Sequence, residues 1–373
     1  MKRTAGPDLK TLRALPKVDL HRHLEGSMRP QTLWEFHERQ NQSLHESYSA
    51  LRASYLIPEN EIPGFRGFLA RFDALRFQYG GTAEVERIAE EAVEDAAVDG
   101  VAHLELRFSP VFFARRMKPA GQPAAVDSLE EVERAAEAVV RGARRESRRR
   151  EMSLSFIISL GRHFTPAVNR PAADLLRRPV GAALNGLDLA GDEAHAAKDF
   201  ATFFKKWKAA GRGLTVHAGE DPGGRATANT VEAIRLLKAG RIGHGVRIRD
   251  KELLERLAQG RIALEMCPTS NVQTRACASF EAHPLRTFLE AGIAATINTD
   301  DPAISQTTLS REYYRASRDC GLSWYQLREC ALNAARAAFL PQNARDALVE
   351  RIDTAWQNAL PSRAAENVSM RED

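Results

Sequence analysis

The segment VDLHRHLEG, residues 18–26, begins as an apolar β-strand and ends in two histidines that are one residue apart. Because side chains alternate between the two faces of a strand, His21 and His23 are expected to project from the same face. Two adjacent imidazoles pack poorly in an apolar core, but they can supply half of a metal site. An isolated His-x-His is more typical of a surface or a loop, so the rest of the chain decides between these interpretations.

A recurring unit follows this segment: a helical stretch that ends at glycine, a short apolar run, and then a polar cluster. Examples are DGVAHLELRFSP at 99–110, AGRGLTVHAGE at 210–220 and AGIAATINTDDP at 291–302. Most of the runs are nearly all apolar, as expected of strands that are buried on both faces. The pattern predicts eight β-strands, near residues 18–23, 103–108, 153–160, 184–189, 214–217, 241–244, 262–267 and 293–299.

Eight strand–helix units without an obvious boundary predict an α/β fold, the (β/α)8 TIM barrel, as a single domain over residues 1–373. A doubly wound open sheet is the alternative, but no Gly-x-Gly-x-x-Gly follows the first strand. Between the first two strands, residues 27–100 predict a helical insertion with helices at PQTLWEFHERQ, PGFRGFLARFDALRFQ and TAEVERIAEEAVEDAAVDG. Since loops that follow strands lie on the catalytic face of a barrel, the insertion is predicted to cover the site.

The insertion also carries an apolar stripe at helical spacing. Its packing onto the barrel mouth is the favoured interpretation, and a wall for an aromatic substrate is the alternative. The stripe consists of Phe65, Phe68, Leu69, Phe72 and Leu75.

Composition excludes several classes of function. The chain has 53 basic and 49 acidic residues, a formal net charge of +4, which does not indicate a nucleic-acid partner. The basic run RGARRESRRR at 141–150 is predicted to end a helix that begins with a capping box at Ser128, rather than to bind a polyanion.

No signal peptide or membrane span is expected. The four cysteines form no Cys-x-x-Cys, which favours the cytoplasm.

Histidines and carboxylates cluster where four of the predicted strands end, and these ends meet at one mouth of a barrel. The residues are His21, His23, His217, Glu220, His244, Asp300 and Asp301. Neutral imidazole and carboxylate are ligands that suit zinc. We predict that four of them converge on one zinc ion per chain, with a position open for water: His21, His23, His217 and Asp300.

The motifs LPKVDLHRHLEG, LDLAGDE, TVHAGE, RIGHGV, CPTSN and TINTDDP occur in the order of the adenosine deaminase family of the amidohydrolase superfamily. The resemblance covers approximately residues 15–340, and the ordered set is specific although each motif alone is weak. It implies a mononuclear zinc aminohydrolase on a TIM barrel, and it assigns zinc to the same four residues. The implied products are a 6-oxo purine and ammonia.

The resemblance also implies roles for single residues. Glu220 matches the proton donor to purine N1, and His244 matches the histidine beside the reacting water. Asp301 matches the residue that bonds to N7, and the backbone amide of Gly191 matches the group that meets N3. Glu25 occupies the position of an acidic residue that reaches the ribose. Physical chemistry is consistent with these roles, because an aromatic amine must be protonated as it leaves and burial can keep a carboxyl group protonated.

Substrate choice depends on Glu25, because the best-known adenosine deaminases have aspartate at this position. The motif HLEG also occurs in relatives that deaminate adenine or aminodeoxyfutalosine, whereas FLARFD and LELRFSP resemble adenosine deaminases. Adenosine and 2′-deoxyadenosine are therefore the predicted substrates. Another metal-assisted hydrolase with two metals is disfavoured because the fourth strand, ALNGLDLAG, has no lysine to bridge them. A non-catalytic purine-binding protein is disfavoured because no ligand or acid is missing.

Overall fold

The computed structural model describes residues 6–42, 44–117, 128–221 and 223–359, and its eight strands form one parallel sheet in sequential order. This arrangement confirms the predicted (β/α)8 TIM barrel. The strands are β1 Lys17–His23, β2 Val101–Phe108, β3 Ser153–Gly161, β4 Leu184–Ala190, β5 Gly213–Ala218, β6 Arg241–His244, β7 Ala263–Met266 and β8 Ala295–Ile297. All eight coincide with predicted segments, although β8 is shorter than the predicted 293–299.

Helices alternate with the strands and cover the outside of the barrel. They are α1 Leu9–Ala14, α2 Pro30–Arg39, α3 Tyr48–Tyr55, α4 Gly64–Leu69, α5 Thr82–Val98, α6 Pro110–Arg116, α7 Leu129–Arg149, α8 Pro166–Asp174, α9 Ala201–Ala209, α10 Ala226–Arg235, α11 Lys251–Gly260, α12 Pro268–Gln273, α13 Leu285–Glu290, α14 Leu309–Arg318, α15 Trp324–Ala337 and α16 Gln342–Asn358. Within the described ranges, no helix is both long and apolar enough to cross a membrane.

The barrel closes between its first and last strands at the segment that follows β8. Arg22 and Asp300 form a parallel bridge there. The Asp300 amide donates to the carbonyl of His21 at 2.7 Å, and the amide of His23 donates to the carbonyl of Asp300 at 2.8 Å. Closure of the barrel therefore fixes the backbone of three residues that the sequence assigns to one metal site.

The interior of the barrel is more polar than predicted. All eight residues of β2 are buried, although the strand alternates charged and apolar side chains. Arg107 donates to Glu265 of β7 at 2.8 Å, and Arg241 of β6 donates to both Glu265 and Glu105. The expectation that buried strands are apolar is wrong for β2, because buried charges are tolerated where each finds an opposite charge.

The insertion between β1 and β2 contains α2 to α5. The predicted helices at residues 30–40 and 82–100 are confirmed as α2 and α5. The predicted helix at 63–78 is wrong in part: α4 has six residues and continues as a 3₁₀ turn over Ala70–Leu75. Two glycines in α4 lower its helix propensity, by about 1 kcal/mol each. Helix α3 was not predicted.

The insertion is attached to the loop that follows β8. The Ile57 amide donates to the carbonyl of Ile304 at 2.8 Å, and the Gln306 side chain donates to the carbonyl of Ile57 at 2.8 Å. In the apolar stripe, Phe68 and Leu75 are buried, which matches packing as the favoured interpretation for these two. The same loop carries Asp300 and Asp301, so the insertion lies at the mouth where the polar cluster is located.

The basic run at residues 141–150 belongs to the end of α7, as predicted. Ser128 caps this helix with a capping box, and Arg141 and Arg145 each pair with Glu86 of α5 at 3.1 Å. The run is thus engaged with acidic side chains of a neighbouring helix.

The prediction that no signal peptide is present concerns residues 1–10, of which 1–5 lie outside the described part of the chain.

Two of the glycines that mark helix ends in the recurring unit are not the left-handed residues at those positions. Near Gly240 the left-handed residue is Lys238, with φ of 58°, and after Gly260 it is Arg261, with φ of 49°. Helix α11 ends at Gly260 as predicted, with Arg261 as its left-handed cap, whereas α10 already ends at Arg235, before Gly240.

Candidate active site

Three imidazoles and one carboxylate meet at the mouth of the barrel. His21 and His23 lie on β1, His217 lies on β5, and Asp300 follows β8; a set of their ligand-type atoms lies within 4.8 Å of one another. Nε2 of His23 faces Nε2 of His217 at 3.2 Å. Oδ1 of Asp300 is 3.3 Å from Nε2 of His21 and 3.5 Å from Nε2 of His23. The structure thus brings together all four predicted metal ligands.

Buried carboxylates orient two of these imidazoles. Nδ1 of His21 donates to Glu265 at 2.9 Å, and Nδ1 of His217 donates to Asp188 at 3.0 Å. A proton held on Nδ1 leaves a lone pair on Nε2, which is the tautomer that binds a metal. Nε2 of His21 is buried and has no hydrogen-bond partner among the described residues. The donor set therefore fits a divalent metal ion.

Asp300 has a left-handed backbone, with φ of 62°, which is uncommon for a residue other than glycine. Its Oδ2 accepts a hydrogen bond from the Ser270 hydroxyl at 2.7 Å. The preceding Thr299 is held by Asp19 of β1, which accepts from its hydroxyl at 2.7 Å. Backbone strain persists only where surrounding contacts enforce it, and here those contacts direct one carboxylate oxygen toward the three histidines.

Glu220 is buried beside this cluster. Burial, together with the negative charges of Asp300 and Glu193, raises the pKa of Glu220 well above its ordinary value. Its loop is fixed by the Glu193 carboxylate, which accepts from the amide of Glu220 at 2.8 Å and from that of Gly219 at 2.9 Å. This shift favours the protonated form of Glu220.

His244 ends β6 with φ of 61° and lies beside Glu220, its Nε2 being 3.4 Å from Oε2 of that residue. Asn271 approaches Nδ1 of His244 at 3.0 Å through its side-chain nitrogen, since its oxygen already accepts from the Cys267 amide at 3.2 Å. Nδ1 is therefore an acceptor and Nε2 carries the proton. Burial lowers the pKa of His244 well below its ordinary value, which keeps the ring neutral.

Two further carboxyl groups lie at the same mouth. Burial and the charge of Asp300 raise the pKa of Asp301 well above its ordinary value, and Oδ1 of Asp301 has no hydrogen-bond partner among the described residues. Oε1 of Glu25 accepts from the Ser109 amide at 2.6 Å, and burial raises the pKa of Glu25 to about 7. Its other oxygen, Oε2, is buried and unpaired within the described ranges.

Gly191 follows β4 with φ of 96°, a conformation that disfavours any side chain. A Cβ atom at this position would lie 2.6 Å from Nδ1 of His163. Both constraints require glycine, so that the backbone alone borders the mouth at this point.

Several residues of the site were not singled out by sequence reasoning. They are Arg107, Asp188, Glu193, Glu265, Ser270 and Asn271. A signal is present for Arg107 alone, because charged residues at alternate positions of β2, a strand expected to be buried on both faces, indicate an ion network inside the barrel.

The comparisons with known proteins agree with this geometry. The adenosine deaminase family model matches residues 16–355. The adenosine deaminase of Klebsiella pneumoniae is 38% identical over 343 residues, which cover 91% of this chain and 98% of that protein. The adenosine deaminase of Shewanella loihica is 35% identical over 338 residues, which cover 90% and 97%.

Solved structures share the architecture. A zinc-bound amidohydrolase from Burkholderia ambifaria has a TM-score of 0.82 and 26% identity, with 96% of each chain covered. The adenine deaminase of Arthrobacter aurescens has a TM-score of 0.77 at 23% identity, with 93% of this chain and 99% of that chain covered, and this likeness concerns the fold alone.

A TIM barrel with histidines and an aspartate gathered at the carboxyl ends of its strands defines a metal-dependent hydrolase of the amidohydrolase type. The chain is a hydrolytic deaminase, and it belongs to the adenosine deaminase family.

Proposed function

We propose that the protein hydrolyses adenosine and 2′-deoxyadenosine to inosine and 2′-deoxyinosine with release of ammonia, using one zinc ion per chain. The observation that carries the proposal is the convergence of four side chains of metal-ligand type beside the buried carboxyl group of Glu220, whose pKa is raised. Relatives named adenosine deaminase, 35% to 38% identical over 90% or more of this chain, support the choice of substrate. The proposed zinc ligands are His21, His23, His217 and Asp300.

Zinc is the metal that the donor set supports best. Three neutral imidazoles with one carboxylate suit its borderline character, whereas magnesium and calcium prefer oxygen ligands alone. The carboxylates of Glu265 and Asp188 accept from Nδ1 of His21 and of His217, and they thereby favour the tautomers that zinc requires. Zinc in this site supplies a Lewis acid that lowers the pKa of water to roughly 7.

The residues of the chain then have distinct tasks. Glu220 donates its proton to purine N1 as C6 becomes tetrahedral, so that negative charge does not accumulate on the ring. His244, neutral and protonated on Nε2, orients the attacking water, and Asp300 accepts a proton from it. Asp301, protonated, donates to N7, and the Gly191 amide donates to N3. The 6-amino group takes the proton held by Asp300 and leaves as ammonia, and the hydroxyl proton at C6 returns to Glu220 as the 6-oxo group forms, so that one water is consumed.

Recognition of the sugar is assigned to Glu25. The purine contacts of Glu220, Asp301 and Gly191 are the same for free adenine and for adenosine, so they do not select between them. One Glu25 oxygen is engaged by the Ser109 amide, while the other is buried and unpaired among the described residues. A buried acceptor of this kind favours a ligand that presents a hydroxyl group, and ribose does so.

A panel of substrates tests this assignment. We expect kcat/KM for adenosine and 2′-deoxyadenosine to exceed that for adenine by at least about 10²-fold, since sites that bind a hydroxyl group reject analogues that lack it. The measurement is ammonia release from adenosine, 2′-deoxyadenosine, adenine and aminodeoxyfutalosine at equal concentration. Faster reaction of adenine or aminodeoxyfutalosine would overturn adenosine as the substrate and leave the deaminase chemistry in place.

Gly26 provides a test of the N7 contact. A Cβ atom at position 26 would lie 1.8 Å from Oδ1 of Asp301, so Gly26→Ala must displace that carboxyl group. We expect kcat/KM to fall by about 10²-fold, the scale for a group misplaced by about 1 Å, while zinc content is unchanged. Gly240→Ala is the control, because the nearest atom to its added Cβ is 3.8 Å away. Wild-type kcat/KM in a folded Gly26→Ala protein would contradict the role of Asp301.

We also propose that residues 1–373 act as one catalytic domain, with the insertion at about residues 27–100 over the active site. The purine nucleoside is the proposed small-molecule partner. The cytoplasm is the proposed compartment, because the four cysteines are unpaired and buried, as is usual where thiols stay reduced.

A further inference from the structure

Arg107 of β2 lies inside the barrel beneath the histidine cluster and is fully buried. Its Nη2 donates to Oε2 of Glu265 at 2.8 Å and to the carbonyl of Leu20 at 2.7 Å. Its Nη1 is 3.4 Å from Oδ2 of Asp188. One guanidinium group therefore bridges two buried carboxylates that come from different strands.

Each of these carboxylates holds one histidine of the cluster. Oε2 of Glu265 accepts from Nδ1 of His21, and it is the same oxygen that accepts from Arg107. Asp188 uses its Oδ1 for His217 and turns its Oδ2 toward Arg107. Imidazoles from β1 and β5 are thus connected to a single cation through one carboxylate each.

We propose that Arg107 is a positioning residue that fixes His21 and His217 in the metal-binding orientation through Glu265 and Asp188, and thereby slows release of the metal. This inference rests on the zinc site of the proposed function. Arg107 itself does not contact the cluster of ligand atoms, so its effect passes through the two carboxylates.

The geometry of the side chain explains why arginine is required. The planar guanidinium group donates from Nη2 to Glu265 at 2.8 Å and places Nη1 3.4 Å from Asp188 in an ion pair without a hydrogen bond, whereas an ammonium group is a point charge on a flexible stem. Without the bridge, the two fully buried carboxylates lose a shared cation. Asp188 then keeps the Ser159 hydroxyl as a donor and Glu265 keeps Thr215 and Arg241, and none of these donors connects one carboxylate to the other. The imidazoles that they orient would then leave the geometry that zinc needs.

Arg241 offers a matched comparison, because it is also buried and binds the same carboxylate. Its Nε donates to Oε1 of Glu265 at 2.6 Å, and its other contacts include Glu105 and the carbonyl of Ala337. No contact with Asp188 is present among the described residues. A change at Arg241 therefore removes a buried positive charge from Glu265 and keeps the bridge between the two histidines.

The test measures transfer of zinc from the holoenzyme to a chromogenic chelator, with thermal unfolding recorded on the same samples. We expect Arg107→Gln to release zinc at least about 10-fold faster than the wild type, the lower end of effects seen when groups that orient metal ligands are removed. Arg107→Lys should release zinc at an intermediate rate, since it keeps the charge and reaches one carboxylate. The rate of zinc release from Arg241→Gln should stay within about threefold of the wild-type rate, even if its Tm falls by as much as that of Arg107→Gln.

The outcomes separate this inference from the proposed function. Wild-type release rates in Arg107→Gln or Arg107→Lys would overturn the positioning role. Equally fast release from Arg241→Gln would also overturn it, because loss of buried charge would then explain the effect without a bridge. If Arg107→Gln fails to fold, the comparison of Arg107→Lys with Arg241→Gln decides in the same way. A wild-type protein that retains no zinc would instead refute the metal site of the proposed function.

Discussion

Replacement of Glu220 by glutamine is expected to lower kcat by at least about 10²-fold while the protein keeps its zinc, because a positioned proton donor contributes on this scale. The amide can still donate a hydrogen bond to purine N1, but it has no proton to transfer. Burial and the charge of Asp300 already raise the pKa of Glu220 well above its ordinary value, which favours the acid form that the proposed reaction uses. Ammonia release and zinc content, measured on the same preparation, test this prediction.

Asp221 supplies the matched control for this change. It lies on the same loop, but its Oδ1 accepts from the Gly223 amide at 3.1 Å, which belongs to the local turn. Asp221→Asn makes the same replacement of a carboxyl group by an amide, and we expect kcat close to that of the wild type. Near-normal turnover in zinc-loaded Glu220→Gln would show that another group protonates the substrate.

Replacement of His217 by alanine is expected to remove most of the bound zinc and, with it, most of the activity. Its Nε2 lies 3.2 Å from Nε2 of His23, and Asp188 fixes its orientation, so the change removes a ligand that is already directed at the site. The wild type should carry about one zinc per chain, as expected for a site with four protein ligands. Elemental analysis of purified protein, together with ammonia release, gives both quantities.

His103 is the control, since it is an equally buried histidine on β2 that bonds to Ser153 at 2.8 Å and lies outside the cluster of ligand atoms. His103→Ala removes a buried imidazole from the barrel without touching the proposed zinc ligands, and we expect it to retain zinc. Full zinc content and activity in His217→Ala would contradict the proposed ligand set.

The barrel itself could be predicted because its signal is local. A short, mostly apolar run after a helix end indicates each strand, and all eight predicted strands are present in the structure. Prediction was weaker in the insertion, where the α-helix at Gly64–Leu69 gives way to a 3₁₀ turn and Tyr48–Tyr55 was missed. These segments take their conformation from packing on the mouth of the barrel, and that contact leaves only a faint periodic pattern in the sequence.

The candidate site was likewise predictable only in part. The residues at strand ends were predictable, because parallel strands in a barrel bring their carboxyl ends to one mouth and the family motifs identify which ends matter. The buried partners that orient these residues were not predictable from the sequence. Glu265 lies in an apolar strand, and Arg107 lies in a strand whose alternation is typical of a sheet with one face in solvent.

The sequence by itself determined the eight strand–helix units, the order of the strands and the identity of the residues at the mouth, since these depend on local pattern and on a topology that local pattern specifies. Only the tertiary structure decided which protons those residues carry. The tautomer of His21 depends on Glu265, which is 244 positions away in the sequence, and the acid form of Glu220 depends on burial and on the charge of Asp300. Burial and electrostatic interaction act through space, so they are defined only when the barrel has closed.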